Sequence, residues 1–330
     1  MMTGPMSDPL LCGDSPVFRD FRAALDRAAA SQATLLLQGE SGTGKSAAAR
    51  YAHALSPRAG GPLVSVALAA LPESLLEAEL FGHEQGAFTD ARRARTGRFR
   101  AAHGGTLVLE DVDLLPKPLQ VKLLRVLQER VVEPLGAAQA VPVDVRVMAT
   151  AGPALLERVA ERAFRDDLYW RLSVVALELP PLRARLADLP VLCAALLPEC
   201  AARVGLPART LTADALERLA RHSWPGNVRE LENALEHALV LAPRDDGAAA
   251  LTAADFEFVG ALRAQDLADL ARMVLARGVT LTELERAVLA RALEEQRGNA
   301  SAAARQVGLT RRAFEYRLAE PARETRAEEP

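Results

Sequence analysis

Residues 39–46 read Gly39-Glu40-Ser41-Gly42-Thr43-Gly44-Lys45-Ser46 and fit the pattern G-x-x-x-x-G-K-[ST]. An apolar strand precedes this run and a helical pattern follows it, which is the context in which the pattern binds phosphate. The glycines let backbone N–H groups surround phosphate oxygens, and the start of the helix adds partial positive charge. Lys45 is therefore expected to reach the β- and γ-phosphates of ATP, and the Ser46 hydroxyl to ligate Mg²⁺. A plain glycine-rich turn with an exposed lysine is the alternative, and the flanking strand and helix argue against it.

Short apolar runs alternate with amphipathic stretches from about residue 18 to residue 173. This alternation predicts an α/β domain in which a parallel sheet is covered by helices on both faces. From about residue 186 to residue 241 only helical patterns occur, so an all-helical part should follow the sheet. The predicted strands are 35–37, 63–66, 106–109 and 143–148, and the predicted helices are 21–30, 46–55, 73–81 and 118–130.

The apolar strand 106–109 ends in two acids, Glu110 and Asp111. Carboxylates at the end of a strand near a phosphate loop can hold Mg²⁺ and position a water molecule. We therefore assign Glu110 and Asp111 as candidate catalytic residues. A buried strand that ends in a solvated acidic turn is the alternative.

The sequence after residue 280 carries helical patterns broken by glycine. Thr282-Glu283-Leu284-Glu285 fits a capping box and predicts a helix that runs to about Gln296. Two shorter helices, 302–307 and 311–318, are predicted on either side of Gly308, an arrangement typical of a helix-turn-helix. A helical dimer module with a solvated basic face is the alternative. Four arginines of the short helices are candidate DNA contacts, because guanidinium groups suit phosphates and guanine edges: Arg305, Arg311, Arg312 and Arg317.

The 330 residues carry a formal net charge of −3, so no protein-wide positive field indicates nucleic-acid binding. Any DNA contact must come from a local basic patch. The three cysteines lack metal-ligand spacing, and so few cysteines fit a reduced cytosolic protein. The sequence has no signal peptide and no run of about 18 apolar residues. We therefore expect a cytoplasmic protein without a membrane span.

Several motifs occur in order between Gly13 and Leu241, and together they resemble the AAA+ domain of NtrC-type bacterial enhancer-binding proteins. These proteins activate RNA polymerase that carries sigma-54. Residues 77–84, followed by Gly86-Ala87-Phe88-Thr89-Asp90-Ala91, resemble the family's ELFGHE…GAFTGA loop. Leu284–Leu318 resembles the Fis-type domain that ends these proteins. The other matching segments are Phe164–Leu172, similar to FREDLYYRL, Leu179–Arg183, similar to LPPLR, and Trp224–Leu231, which matches WPGNVREL.

The resemblance implies an AAA+ ATPase with a helical lid that assembles as a hexamer, uses ATP and Mg²⁺, remodels sigma-54 RNA polymerase and binds enhancer DNA. It assigns the loop 86–91 to contact with the sigma factor. Phe88 would then be an exposed apolar tip, and a core plug is the alternative for a loop phenylalanine.

The resemblance also assigns roles to charged residues around the nucleotide. In the family, two arginines act on the nucleotide of the neighbouring subunit, and these correspond to Arg165 and Arg171. Arg229 corresponds to the lid arginine that senses the γ-phosphate within its own subunit. In the family's scheme the first acid handles Mg²⁺ and the second polarises water, which assigns Glu110 to the metal and Asp111 to the water.

Four departures from the family pattern concern hydrolysis and the sigma contact. The family has Asp then Glu where this chain has Glu110 then Asp111. Ala67 stands where the family has an asparagine that restrains the catalytic glutamate, and Ala151-Gly152 replaces a Thr-Asn sensor. Asp90 replaces the second glycine of the sigma-contacting loop. Two interpretations follow. The chain is an active ATPase, or it is an ATP- and DNA-binding regulator or co-subunit with weak or absent hydrolysis. In either case it could assemble as a homo-oligomer or together with a related activator.

The resemblance sets expected domain bounds. The phosphate-loop strand begins near residue 34, so we expect no sensory module before the ATPase, as in the phage-shock and type III secretion activators of the family. A regulator acting in trans is then expected. The predicted parts are a disordered N-terminus (1–12), an α/β ATPase subdomain (13–175), a helical lid (176–242), a linker with a helix (243–279), a Fis-type helix-turn-helix domain (280–320) and a disordered tail (321–330).

Overall fold

The computed structural model describes residues 11–70, 72–87, 93–242, 250–259, 271–296 and 298–319. The chain divides into two compact units, with the division between Val259 and Gly260. In the described part of the chain, no helix has the length and apolar character needed to cross a membrane.

The first unit alternates strands and helices and then becomes helical. Its strands are β1 (Leu35–Gln38), β2 (Leu63–Ala67), β3 (Gly82–His83), β4 (Arg95–Thr96), β5 (Thr106–Glu110), β6 (Val131–Val132), β7 (Val141–Pro142), β8 (Arg146–Ala151) and β9 (Val175–Glu178). Its helices are α1 (Pro16–Ala29), α2 (Lys45–Ala54), α3 (Glu73–Phe81), α4 (Arg98–Ala101), α5 (Lys117–Glu129), α6 (Leu155–Ala160), α7 (Asp166–Leu172), α8 (Leu189–Val204), α9 (Ala213–Ala220) and α10 (Asn227–Leu241).

Five strands form one parallel sheet in the order β2-β5-β8-β1-β9. The predicted α/β fold with a parallel sheet is confirmed. The carboxyl ends of parallel strands lie at one edge, where ligands of such sheets bind. Because β8 lies between β1 and β5, the end of β8 lies between the strand that leads into the phosphate loop and the strand that ends in the two acids.

Two features of the sheet differ from the sequence prediction. The strand predicted at 143–148 is β8, which starts and ends three residues later. Arg146, which interrupts the apolar run, begins the sheet pairing and is buried, because its guanidinium donates to the carbonyls of Ala28 and Ala29 at the end of α1. The edge strand β9 is absent from the sequence prediction, although residues 174–177 form an apolar run, Val-Val-Ala-Leu. In the structure its residues alternate between half-buried and exposed.

Separate apolar clusters cover the two faces of the sheet, and a third fills the helical lid. Leu251 and Phe256 are buried in the lid cluster, so residues 250–259 pack with the lid and not in the predicted linker. Leu11 is likewise buried, and its carbonyl accepts a hydrogen bond from Arg22. Leu11, which the prediction placed in a disordered N-terminus, therefore packs in the fold, and residues 1–10 lie outside the described part.

The second unit contains α11 (Leu281–Glu295), α12 (Ala300–Gln306) and α13 (Arg311–Ala319), packed around Phe314. The first helix begins two residues earlier than predicted: Thr280, not Thr282, is its N-cap. The Thr280 hydroxyl accepts the Glu283 N–H at 3.3 Å, and the Glu283 carboxylate accepts the Thr280 N–H at 2.8 Å. Both threonines precede a glutamate by three residues, so the sequence fits the capping box twice.

The region before α11 is described in part. Residues 271–276 are helical, in line with the helix expected within 243–279. Residues 243–249 and 260–270 of that segment and the predicted tail, 321–330, lie outside the described residues.

Candidate active site

A cavity of about 260 Å³ opens at the carboxyl edge of the sheet, between the phosphate loop, the end of β5 and helix α10. It gathers most of the predicted nucleotide-binding residues together with both acids and the lid arginine. The lining residues are Ser41, Gly42, Gly44, Lys45, Ser46, Ala47, Arg50, Glu110, Asp111, Thr150, Arg229 and Glu232.

The phosphate loop has the conformation that its glycines predict. Gly44 has a φ of +106°, a value open to glycine, and it immediately precedes the first turn of α2. The Lys45 ammonium donates to the carbonyls of Gly39, at 2.8 Å, and Glu40, at 3.0 Å. Burial lowers the pKa of Lys45, and the carboxylates of Asp111 and Asp113 oppose that shift. The ammonium therefore lies at the centre of a negatively charged setting, ready to exchange carbonyl partners for phosphate oxygens.

The two acids at the end of β5 differ in their contacts. The Ser46 hydroxyl donates to Glu110 Oε2 at 3.0 Å, so the two predicted metal ligands face one another. Asp111 has a left-handed backbone, with φ of 57°, and its N–H donates to the Thr150 hydroxyl at 3.0 Å. The longer side chain of Glu110 thus reaches Ser46, while the shorter Asp111 is oriented through its backbone.

The oxygen ligands at Ser46 and Glu110 suit Mg²⁺ bound together with a nucleotide. Magnesium in phosphate-transfer sites takes one or two carboxylates and completes its shell with water and phosphate oxygens. Within the described ranges, no group of three or more His, Cys, Asp or Glu side chains could hold a metal on its own. The residues present therefore fit a metal that arrives with the phosphates.

The lid is joined to the phosphate loop through backbone contacts. The Gly42 carbonyl accepts the N–H groups of Val228, at 2.9 Å, and Arg229, at 3.3 Å. A Cβ atom on Gly42 would lie 2.3 Å from the carbonyl oxygen of Gly226, so only glycine fits there. The first turn of α10 therefore takes hydrogen-bond acceptors from the loop, which satisfies N–H groups that a helix start leaves free.

Asn227 connects the same loop to a third segment. Its side chain is fully buried, and its backbone has a positive φ of 54°. The amide group donates to Glu40 Oε2 at 3.1 Å and to the Ser41 carbonyl at 3.0 Å, while its oxygen accepts the Leu182 N–H at 2.8 Å. One side chain therefore ties the loop, the start of α10 and the segment before α8.

Glu40 and Arg183 form a two-pronged ion pair at this junction. The Arg183 guanidinium donates to the two carboxylate oxygens at 2.7 and 2.5 Å. This hydrogen bonding, with a smaller contribution from Asn227 and against an opposing effect of burial, lowers the pKa of Glu40 to about 2. A residue of the phosphate loop is thus held charged by residues of the lid side.

The depressed pKa of Glu40 predicts a pH-dependent stability. A carboxylate whose pKa falls on folding adds stability above its usual value of 4.5, and this is lost as the pH falls towards about 2. Glu40→Gln should lower the unfolding free energy at pH 7 by about 1 kcal/mol, a figure reduced for partial exposure. The difference from wild type should shrink below pH 4.5.

Urea unfolding followed by tryptophan fluorescence between pH 7 and pH 3 measures this difference, since Trp170 and Trp224 both lie in the first unit. Glu157→Gln, which changes an exposed glutamate on α6, is the matched control and should show a pH-independent difference. A gap between wild type and Glu40→Gln that stays constant with pH would contradict the prediction.

The predicted trans-acting arginines do not line the cavity of their own subunit. The Arg165 guanidinium donates to both carboxylate oxygens of Asp167, at 2.9 and 2.6 Å. Arg171 donates to the Leu127 carbonyl near the end of α5, at 3.2 and 2.8 Å. Both arginines are exposed.

Two of the departures noted in the sequence lie beside the acids. Ala67 is the register partner of Glu110 across β2 and β5, and its methyl group offers no hydrogen bond there. Ala151 ends β8 with Gly152 directly after it, so Thr150 supplies the hydroxyl at this strand end.

Arg50 and Glu232 line the cavity but were not singled out in the sequence. Glu232 follows Arg229 by three residues on α10, a spacing that places both on one helix face and could have identified it. Burial is the main cause that raises the pKa of Glu232, and Arg203 opposes it.

The other predicted contacts lie away from the cavity. Of the loop 86–91, Gly86 and Ala87 are described and Gly86 is exposed, whereas Phe88, Thr89, Asp90 and Ala91 lie outside the described residues. In the second unit the four candidate DNA-contacting arginines are all exposed. Arg311 pairs with Glu315 at 2.7 Å and Arg317 with Glu285 at 2.6 Å. Within 298–319 no hydrogen bond or ion pair engages the side chain of Arg305 or Arg312.

Comparison with known families assigns all three parts of the chain. Residues 11–178 match the sigma-54 interaction domain, residues 183–258 the AAA+ ATPase lid domain, and residues 280–320 the Fis family of bacterial regulatory proteins. The lid match includes residues 250–258, in agreement with the packing of Leu251 and Phe256.

Individual relatives share this organisation over most of the chain. The response regulator protein PilR of Pseudomonas aeruginosa is 43% identical over 317 residues, which cover 94% of this chain and 69% of PilR. The transcriptional regulatory protein ZraR of Salmonella typhimurium is 41% identical over 315 residues, covering 93% and 68%. Two crystal structures of NtrX from Brucella abortus are 34% identical to this chain. The first has a TM-score of 0.70, and the alignment covers 94% of this chain and 68% of NtrX. The second, in complex with ATP, has a TM-score of 0.68, and the alignment covers 93% of this chain and 68% of NtrX.

The matches follow the same order as the motifs and span the cavity, the lid and the helix-turn-helix. The chain therefore belongs to the family of sigma-54-dependent transcriptional regulators, in which a sigma-54 interaction domain is joined to an AAA+ lid and a Fis-type DNA-binding domain.

Proposed function

We propose that this chain binds and hydrolyses Mg·ATP in a hexameric ring and uses the energy to remodel RNA polymerase that carries sigma-54. The observation that carries the proposal is the convergence of Lys45, Ser46, both acids and Arg229 on one cavity. ATP in complex with the related NtrX supports nucleotide binding here.

The phosphate loop, the two acids and Arg229 each have a proposed role. Backbone N–H groups of 39–46 surround the phosphates, and Lys45 neutralises the β- and γ-phosphates. Ser46 and Glu110 hold Mg²⁺, which supplies positive charge to the phosphate oxygens when bound. Asp111 orients the attacking water and accepts its proton, and Arg229 contacts the γ-phosphate from the lid.

We propose that the cavity is completed by a second copy of the chain. No arginine of α7 reaches the cavity within its own subunit, whereas Arg165 and Arg171 are exposed and offer planar charged groups that suit γ-phosphate oxygens. Trp170 lies beside Arg171 and is 70% exposed, and exposed tryptophan is enriched at protein interfaces. On assembly Arg165 leaves Asp167, Arg171 leaves the Leu127 carbonyl, and both contact the nucleotide of the neighbouring subunit.

A shared site predicts that turnover per subunit rises with protein concentration and that inactive variants complement one another. Lys45→Ala and Arg171→Ala should each be nearly inactive alone. In an equal random mixture, roughly a quarter of the shared sites combine an intact Lys45 with an intact Arg171, since head-to-tail contacts join unlike faces. Steady-state phosphate release should therefore be higher in the mixture than in either parent.

The mixing experiment needs proof of co-assembly, which differently tagged chains supply. Lys45→Ala mixed with the double variant Lys45→Ala/Arg171→Ala is the matched control, because no intact Lys45 is present. A co-assembled mixture no faster than its parents would refute the trans role of Arg171.

The remaining partners follow from the two other parts of the chain. We propose that the loop 86–91 contacts the sigma factor and that α13, with Arg311, Arg312 and Arg317, enters the major groove of enhancer DNA while Arg305 contacts the backbone from α12.

A second candidate is a nucleotide- and DNA-binding subunit with weak hydrolysis, assembled with a related activator. Ala67 beside Glu110 and the loss of polar side chains at Ala151 and Gly152 favour it. The same phosphate-release assay decides between the candidates: turnover near background in the assembled wild-type chain supports the second.

A further inference from the structure

A buried carboxylate lies directly behind the cavity and has no role in the proposed function so far. Asp113 is in the short turn Val112–Leu114 that follows Asp111, and it is 9% exposed. It is not among the residues that line the cavity. An ionised side chain in such a place is costly unless it is hydrogen-bonded or paired, so its contacts indicate what it does.

Two hydrogen bonds join the turn that carries Asp111 to the end of β8. The Asp111 N–H donates to the Thr150 hydroxyl at 3.0 Å. In the opposite direction, the Gly152 N–H donates to Asp113 Oδ1 at 3.2 Å. Each segment therefore gives one donor and one acceptor, and the turn cannot slide along β8 without breaking both bonds.

This connection matters because Asp111 has a left-handed backbone. Its φ of 57° and ψ of 51° lie in a region that residues other than glycine seldom adopt. Such a conformation persists only where the surroundings hold it. One of the two hydrogen bonds holds the N–H of Asp111 itself, and the other holds the side chain of Asp113, two residues later.

The carboxylate of Asp113 lies next to residue 152, which has no side chain. A Cβ atom built on Gly152 would lie 3.5 Å from Asp113 Oδ2, in ordinary van der Waals contact. The second carboxylate oxygen is therefore adjacent to the position that a side chain at 152 would take. Asp113 supplies a polar group at the end of β8, where Ala151 and Gly152 have none.

We propose that Asp113 is a positioning residue for ATP hydrolysis: by accepting the Gly152 N–H, it fixes the end of β8 to the turn that presents Asp111 to the attacking water. Burial lowers the pKa of Lys45, and the nearby carboxylates of Asp111 and Asp113 oppose that shift, so Asp113 lies within electrostatic reach of the ammonium. The consequence for turnover rests on the proposed function, whereas the structural consequence at β8 does not.

Two variants separate the hydrogen bond from the charge. Asp113→Ala removes the acceptor, and Asp113→Asn keeps an oxygen in the same place but removes the charge. In Asp113→Ala we expect kcat to fall at least about tenfold, because displacement of a catalytic group by a fraction of an ångström costs that much or more. The KM for ATP should change less than about twofold, because the phosphate-binding groups are untouched. Asp113→Asn should retain most of the wild-type kcat.

Hydrogen–deuterium exchange of the full-length chain gives a readout that does not depend on turnover. Peptides covering 146–155 should exchange faster in Asp113→Ala and as in wild type in Asp113→Asn. Peptides covering α8 are the internal control, and unchanged exchange there shows that the fold persists.

The outcomes keep the two proposals apart. If the wild-type chain has no turnover, the proposed hydrolysis is wrong, and exchange at 146–155 still decides the role of Asp113. Exchange in Asp113→Ala equal to that of wild type would overturn the inference. Asp113→Asn as impaired as Asp113→Ala would also overturn it, because charge and not the acceptor would then be the requirement.

Discussion

Removal of residues 279–330 should lower the affinity for a specific DNA site by about 1,000-fold or more, to the level of non-specific binding. The truncation deletes α11, α12 and α13 with all four candidate DNA-contacting arginines. The chain carries a net charge of −3, so no protein-wide positive field attracts the remaining residues to DNA. ATP binding should be retained, because every residue that lines the nucleotide cavity lies in the first unit.

A DNA fragment selected by the full-length chain from a random-sequence pool provides the probe. Gel-shift titrations at fixed salt compare the full chain, the truncation and the point variant Arg312→Ala, which leaves the fold of α13 intact. Arg312 is exposed and its side chain makes no hydrogen bond or ion pair among the described residues 298–319, so its loss should cost about tenfold in affinity if it reads a base. A truncated chain that still shifts the selected fragment with full affinity would refute the assignment.

Lys45→Ala should lower the affinity for Mg·ATP by about 10- to 100-fold, since a hydrogen-bonded charge contributes about 1.5–3 kcal/mol. The ammonium is surrounded by loop carbonyls and by the negative field of Asp111 and Asp113, and no other lysine lines the cavity. A neutral methyl group at this position leaves the negative field in place, and that field repels the phosphates.

Titration with a fluorescent ATP analogue measures the effect of Lys45→Ala. Lys117→Ala is the matched control, because Lys117 is an exposed lysine at the start of α5 and away from the cavity. Equal affinities of wild type and Lys45→Ala would show that Lys45 does not bind the phosphates.

The parts of the site that depend on local sequence were predictable. The phosphate loop needs glycines at fixed positions between a strand and a helix, so residues 39–46 specify both the motif and its structural context. Parallel strands then bring Glu110 and Asp111 to the same edge. The lid arginine, Arg229, follows a turn whose sequence resembles that of the family closely enough to identify its position.

Other features depend on which of several equivalent local options the tertiary structure selects. Thr280 and Thr282 fit the capping box equally well, and Glu285 pairs with Arg317 instead of capping the helix. Strand β9 lies in a short apolar run, 174–177, that sequence alone does not distinguish from a helical segment, and its pairing with β1 makes it a strand. Glu232 could have been identified from its helical spacing to Arg229, whereas the position of Asp113 behind the cavity depends on a turn that the sequence pattern does not encode.

The contact between Gly42 and the first turn of α10 limits how this protein can be recombined with its relatives. The lid has its own apolar core and looks like an exchangeable module, yet the N–H groups of Val228 and Arg229 end on a carbonyl of the phosphate loop. With 2.3 Å between a Cβ on Gly42 and the Gly226 oxygen, the two segments tolerate no side chain between them. A chimera that takes its lid from a relative would therefore keep this contact only if both Gly42 and Gly226 were present. The phosphate loop and the start of α10 must be exchanged together, although almost two hundred positions of sequence separate them.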